Sequence, residues 1–109
     1  MASVRFTVTV AAAAVHAAPA VWAGLDQDGD DQVESMEIVP LAGGEGGVYA
    51  GDLPGPAGAT AGLDYIVMVQ APQGSTYAVV ITRDGKTLAS PKTASVGLSG
   101  YAATTGVLA

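Results

Sequence analysis

Residues 63–82, LDYIVMVQAPQGSTYAVVIT, carry the pattern on which the fold turns. Leu63, Tyr65, Val67 and Val69 alternate with Asp64, Ile66, Met68 and Gln70, the period of a strand whose successive side chains point to opposite faces. A turn-forming stretch, APQGST, separates this run from Tyr77–Thr82. Both arms are apolar on both registers, as strands in the middle of a sheet are. The segment therefore reads as a β-hairpin of two central strands.

On its C-terminal side, Arg83, Asp84, Gly85 and Lys86 predict a tight Asp-Gly reversal into a short strand over 87–90. The closing stretch, with Val96, Leu98 and Tyr101, is weakly patterned and reads as an edge strand or a tail. On the N-terminal side, PGPAGATAG over 54–62 is loop by composition. Before it, VYAGDLP places Tyr49 and Leu53 on the register opposite Val48 and Ala50, and a glycine-rich turn spans 43–47. Residues 36–41 form a short strand in which Pro40 suggests an edge. Val21, Ala23 and Leu25 alternate, and so do Val4, Phe6, Val8 and Val10 against Arg5, Thr7 and Thr9. The alanine-rich 11–18 is a helical turn or a loop, stopped by Pro19.

Seven or eight short strands at spacings of about 8–12 residues predict an all-β fold, a two-sheet sandwich. One domain over 1–109 is expected, with the last ten or so residues as edge strand or tail. The net charge is −6, and the four basic residues, Arg5, Arg83, Lys86 and Lys92, are scattered. Such a chain offers no electrostatic footprint for nucleic acid or an anionic membrane. Without cysteine it has no disulfide and no thiolate metal site. Arg5, the apolar run to Ala20 and Val21-Trp22-Ala23 have the form of a secretory signal, but the alternation over 4–10 favours a strand. No uninterrupted apolar run reaches the length of a membrane span.

Chemistry shows in one window, DQDGDDQVESME over 26–37, which holds six of the ten acidic residues. Carboxylates at alternate positions of a tight loop can converge on a hard divalent cation. The window resembles an EF-hand calcium loop. That resemblance implies Asp26, Asp28 and Asp30 at its first, third and fifth ligand positions, the carbonyl of Gln32 at the seventh, Glu34 at the ninth and Glu37 as the closing ligand. Asp31 stands where that loop carries its turn glycine. Three readings stay open: a solvated acidic turn between strands, a calcium site on such a turn, and a helix-flanked EF-hand. Strand patterns on both sides favour the first two.

The run from Met36 to Tyr77 resembles the second half of immunoglobulin-like or fibronectin type III-like modules of bacterial surface and secreted proteins, in its apolar-Pro-apolar strand, glycine turn, Gly-Val-Tyr strand ending in Leu-Pro, and aromatic-led strand. The resemblance implies an immunoglobulin-like sandwich serving as spacer or binding unit at the cell surface or outside the cell, with Trp22 a candidate to pack between the sheets; an extracellular, cell-surface or virion setting is expected over a cytoplasmic one. No catalytic constellation accompanies it. His16 has no nucleophile at a motif spacing, and GGEGG at 43–47 lacks the lysine and helix of a phosphate cradle. Trp22, Tyr49, Tyr65, Tyr77 and Tyr101 form either core pairs or a sugar-stacking platform. The expectation is a non-catalytic structural or protein-interaction module, an accessory domain of an exported protein or a small subunit of an assembly such as a virion or surface fibre. The alternative is a calcium-binding sandwich using 26–37, and a carbohydrate-binding module stands behind both.

Overall fold

In the computed structural model, which describes residues 3–11, 19–26, 36–54, 62–89 and 92–108, each segment of period-2 alternation is a strand. The strands are β1 (Ser3–Ala11), β2 (Ala20–Asp26), β3 (Met36–Pro40), β4 (Ala42–Gly43), β5 (Val48–Pro54), β6 (Asp64–Gln70), β7 (Thr76–Arg83), β8 (Lys86–Thr87), β9 (Lys92–Ser95) and β10 (Tyr101–Val107). Two of them, β4 and β8, are two-residue bridges, so the count of ten accords with the seven or eight strands expected. A single 3-10 turn, Glu45–Gly47, is the one helical element among the described residues.

Two antiparallel sheets face each other. One runs β4-β5-β1-β7-β8, with β9 also on β7; the other runs β10-β6-β2-β3. The expected hairpin over 63–82 does not form. β6 lies between β2 and β10, whereas β7 lies in the opposite sheet against β1. The link between them crosses from one sheet to the other, and its backbone groups find partners late in the chain. Ala71 N donates to Gly100 O at 3.0 Å, Gly74 N to Val96 O at 2.9 Å, and Val96 N to Ser75 O at 2.8 Å. Those bonds replace the cross-strand bonds of a hairpin, so burying Ser75 leaves its backbone satisfied.

The predicted Asp-Gly reversal is present: Arg83 pairs with Lys86, while Asp84 at φ 53° and Gly85 at φ 80° adopt the left-handed conformation of such turns. The strand it leads to is only Lys86–Thr87, shorter than expected. Near Leu41 the chain changes sheets. Leu41 N still bonds Val21 O at 2.8 Å, but Ala42 and Gly43 pair with β5 across the sandwich.

The alternating apolar residues of β1, β2, β6 and β7 point inward and make one core. Each fully buried valine, leucine or phenylalanine contributes about 1.5–3 kcal/mol of transfer free energy. Phe6 meets Tyr65 edge-on across the core, with ring centroids 6.3 Å apart and planes at 64°. Two tyrosine hydroxyls tie the sheets together at the rim of that core. Tyr77 Oη lies 2.7 Å from Thr104 Oγ1, and Tyr49 Oη donates to Pro19 O at 3.2 Å. At the open side, Lys92 Nζ lies 5.5 Å from the centre of the Tyr65 ring and donates to Thr105 O at 3.2 Å.

Trp22 does not pack between the sheets. Its neighbours Val21 and Ala23 take the inward register, so Trp22 stands half-buried on the outer face.

Candidate functional site

The two outer faces differ in chemistry. That of the β1-containing sheet is mixed and rich in threonine: Thr7, Thr9, Thr76, Thr82 and Thr93 share it with Val48, Ala50, Ala78 and Val80, and Arg5 Nη1 pairs with Asp52 Oδ2 at 3.3 Å. A shallow hollow of about 290 Å³, lined by Thr9, Ala11, Thr76, Tyr77, Ala78 and Thr93, lies there. Its lining holds no acid, base or histidine.

The outer face of the β10-β6-β2-β3 sheet is apolar. Register aligns Ala103, Met68, Trp22 and Pro40 in one row across the four strands, and Thr105, Ile66, Gly24 and Ile38 in the next. Cross-strand neighbours of this kind stand about 4.5–5.5 Å apart, close enough to form a continuous surface. Ile38 is 44% exposed, Tyr101 59% and Val107 58%. Asp64 is the one charged group among the described side chains of this face.

The acidic window joins β2 to β3. Asp26 closes β2 opposite Met36, and Glu37 stands opposite Leu25, so the ends of the window occupy adjacent register positions in an antiparallel pair. Strands, not helices, flank it on both sides. Asp28, Asp30, Gln32 and Glu34 lie outside the described residues, as does His16. Among the described residues no three acidic, histidine or cysteine side chains cluster.

The five aromatics do not share a platform. Tyr49, Tyr65 and Tyr77 are buried in the core, and only Trp22 and Tyr101 reach the apolar outer face. Sequence reasoning missed this face as a site, although its signal was present. In the run Ile66-Val67-Met68-Val69 both registers are apolar, and only one of them is needed for the core.

No helix among the described residues is long and apolar enough to cross a membrane. No family model, curated protein or solved structure matches the chain.

Proposed function

We propose that this chain is a non-catalytic structural or protein-interaction module that docks on a protein neighbour through the outer face of the β10-β6-β2-β3 sheet. The observation that carries the reading is the contrast between the two outer faces, one where threonines and an ion pair break up small and β-branched residues, the other holding Trp22, Ile38, Ile66, Met68, Tyr101 and Val107 around a single described charge. Depletion of charge with enrichment of aromatics and methionine marks the centre of protein interfaces. Contiguous apolar patches on soluble proteins mark interaction sites.

The neighbour belongs to an exported protein or a larger assembly such as a virion or surface fibre. That setting rests on the resemblance of residues 36–77 to modules of bacterial surface and secreted proteins.

The test is differential capture from the source material with three immobilised proteins: the wild type, Ile38→Lys on the apolar face, and Val80→Lys on the opposite outer face. A protein retained by wild type and Val80→Lys but lost with Ile38→Lys supports the reading. Equal retention by all three, or retention by none, contradicts it.

The second reading is a calcium-stabilised sandwich using the window 26–37, although the register sets its two ends, Asp26 and Glu37, at positions of opposite parity in the β2–β3 pair and so on opposite faces of the sheet. A calcium titration monitored by thermal unfolding separates the two readings.

A further inference from the structure

The edges of the two sheets are not alike. An open strand edge presents unpaired N–H and C=O groups that another strand can join, and proteins blunt such edges with short strands, proline, lysine or bulges. In this chain β4 and β8 are two residues long, β3 carries Pro40, and β9 carries Lys92. The open part of β5 carries Asp52 and ends at Pro54. β10 is different. Its seven residues, YAATTGV, include no charge and no proline, and among the described residues it pairs only with β6.

The direction of its backbone groups follows from its flanks. Ala71 N bonds Gly100 O, Leu108 N bonds Leu63 O, and Gly62 N bonds Leu108 O. Even-numbered positions therefore face β6, and by the alternation of antiparallel ladders Tyr101, Ala103, Thr105 and Val107 turn their N–H and C=O to the open side. The side-chain contacts agree. Ser99 Oγ accepts from Tyr101 N at 3.3 Å and donates to Tyr101 O at 3.4 Å, and Lys92 Nζ reaches Thr105 O at 3.2 Å. Bonds this long, made by exposed side chains, exchange readily for main-chain bonds of about 2.9 Å. No described residue bonds the outward groups of Ala103 or Val107.

We infer that β10 pairs antiparallel with β10 of a second copy of this chain, about a two-fold axis at Thr104. Odd positions then meet odd positions: Tyr101 opposite Val107 of the second copy, and Ala103 opposite Thr105. All of the outward groups pair, giving about eight inter-chain bonds. On the outer face each Tyr101 sets an aromatic ring beside a β-branched valine, a favourable cross-strand pair. The four-stranded sheet becomes one of eight strands.

Each chain carries −6, and the charges described nearest the β10 edge are Lys92 and Asp64. The described ends of the acidic window, Asp26 on β2 and Met36 and Glu37 on β3, lie on the strands farthest from β10 in the sheet. Across seven strand spacings of about 4.8 Å, the two β3 strands stand roughly 34 Å apart. The Debye length at physiological salt is about 8 Å. Because every other described edge is short or blunted, the contact is isologous and closes at two copies instead of continuing as a filament.

This inference rests on the edge of β10 and not on the apolar face, and the test separates the two. Analytical ultracentrifugation from micromolar to millimolar concentration is applied to the wild type, Ala103→Pro, Thr105→Lys and Ile38→Lys. Proline at 103 removes an N–H that faces away from β6, so the fold keeps its ladder bonds, which circular dichroism checks. The expected result is a concentration-dependent dimer for wild type and Ile38→Lys. Ala103→Pro and Thr105→Lys each weaken it by at least about tenfold in Kd. A wild type that stays monomeric at every concentration overturns the inference, as does a dimer that survives in folded Ala103→Pro and Thr105→Lys. Loss of the dimer in Ile38→Lys alone assigns it to the apolar face, and polymers larger than two contradict the closed pairing.

Discussion

The hydroxyl of Tyr77, in β7, lies 2.7 Å from Thr104 Oγ1, in β10, and joins the two sheets where no backbone bond does. A hydrogen bond at the rim of a core contributes about 1 kcal/mol net. Tyr77→Phe is expected to lower stability by about that amount, a fall in Tm of roughly 5 °C for a chain of this size. Thr104→Val should cost a similar amount, and the double variant less than the sum. Full additivity in the double-mutant cycle would show that the two hydroxyls do not interact.

Gly106 is needed for a different reason. A Cβ at this position would come within 2.6 Å of Tyr65 Oη and 2.7 Å of Lys92 Nζ. Gly106→Ala is therefore expected to cost about 1–3 kcal/mol, the usual penalty for overpacking. Replacing Tyr65 by phenylalanine in the same chain should recover part of the loss, because the Tyr65 Cζ contact at 2.8 Å remains. Chemical denaturation of the single and double variants measures both effects.

Val67 and Val79 face each other's sheets from β6 and β7, and both are buried. An unpaired carboxylate at either site costs several kcal/mol, comparable with a total stability of about 5–15 kcal/mol. Val67→Asp and Val79→Asp should each unfold the chain. Soluble protein with a native dichroism spectrum from both variants would contradict the placement of these strands in the core.

The acidic window decides between the two functional readings. If Asp26, Asp28, Asp30 and Glu37 ligate calcium, a hundredfold excess over Kd adds about 2.7 kcal/mol to stability. That corresponds to a rise in Tm of roughly ten degrees. Asp28→Ala would then abolish the rise and leave the calcium-free Tm unchanged or higher, through relief of carboxylate repulsion. The interaction-module reading expects no shift in millimolar calcium. A shift that Asp28→Ala removes would transfer the assignment to calcium.

Single strands were legible because alternation is a local property. Val4 to Val10, Val21 to Leu25 and Leu63 to Val69 each announce which residues face inward, and burial follows that register. Pairing was not legible. The link 71–75 has a length and composition that suit a hairpin, and it is the bonds from Ala71, Gly74 and Ser75 to residues 96–100 that send β7 to the other sheet. β9 was missed because KTAS shows no apolar alternation; its place is set by pairing with Thr76–Val79. The orientation of Trp22 could have been read from Val21 and Ala23 on either side of it. The apolar outer face was visible as Ile66 and Met68, but apolar residues on both registers were read as burial on both faces. Nothing in the sequence of 26–37 distinguishes a solvated turn from a metal site, because the same carboxylates serve both.

The apolar face and the open edge both exist only if β6 sits between β2 and β10 while β7 lies in the opposite sheet. The most direct test is the set of cross-strand nuclear Overhauser contacts in isotope-labelled protein. The account predicts backbone contacts of Ala23 with Val67, Met68 with Ala103, and Phe6 with Ile81. A ladder of contacts between residues 63–70 and 76–82, such as Val69 with Tyr77, would instead show the hairpin and contradict the architecture.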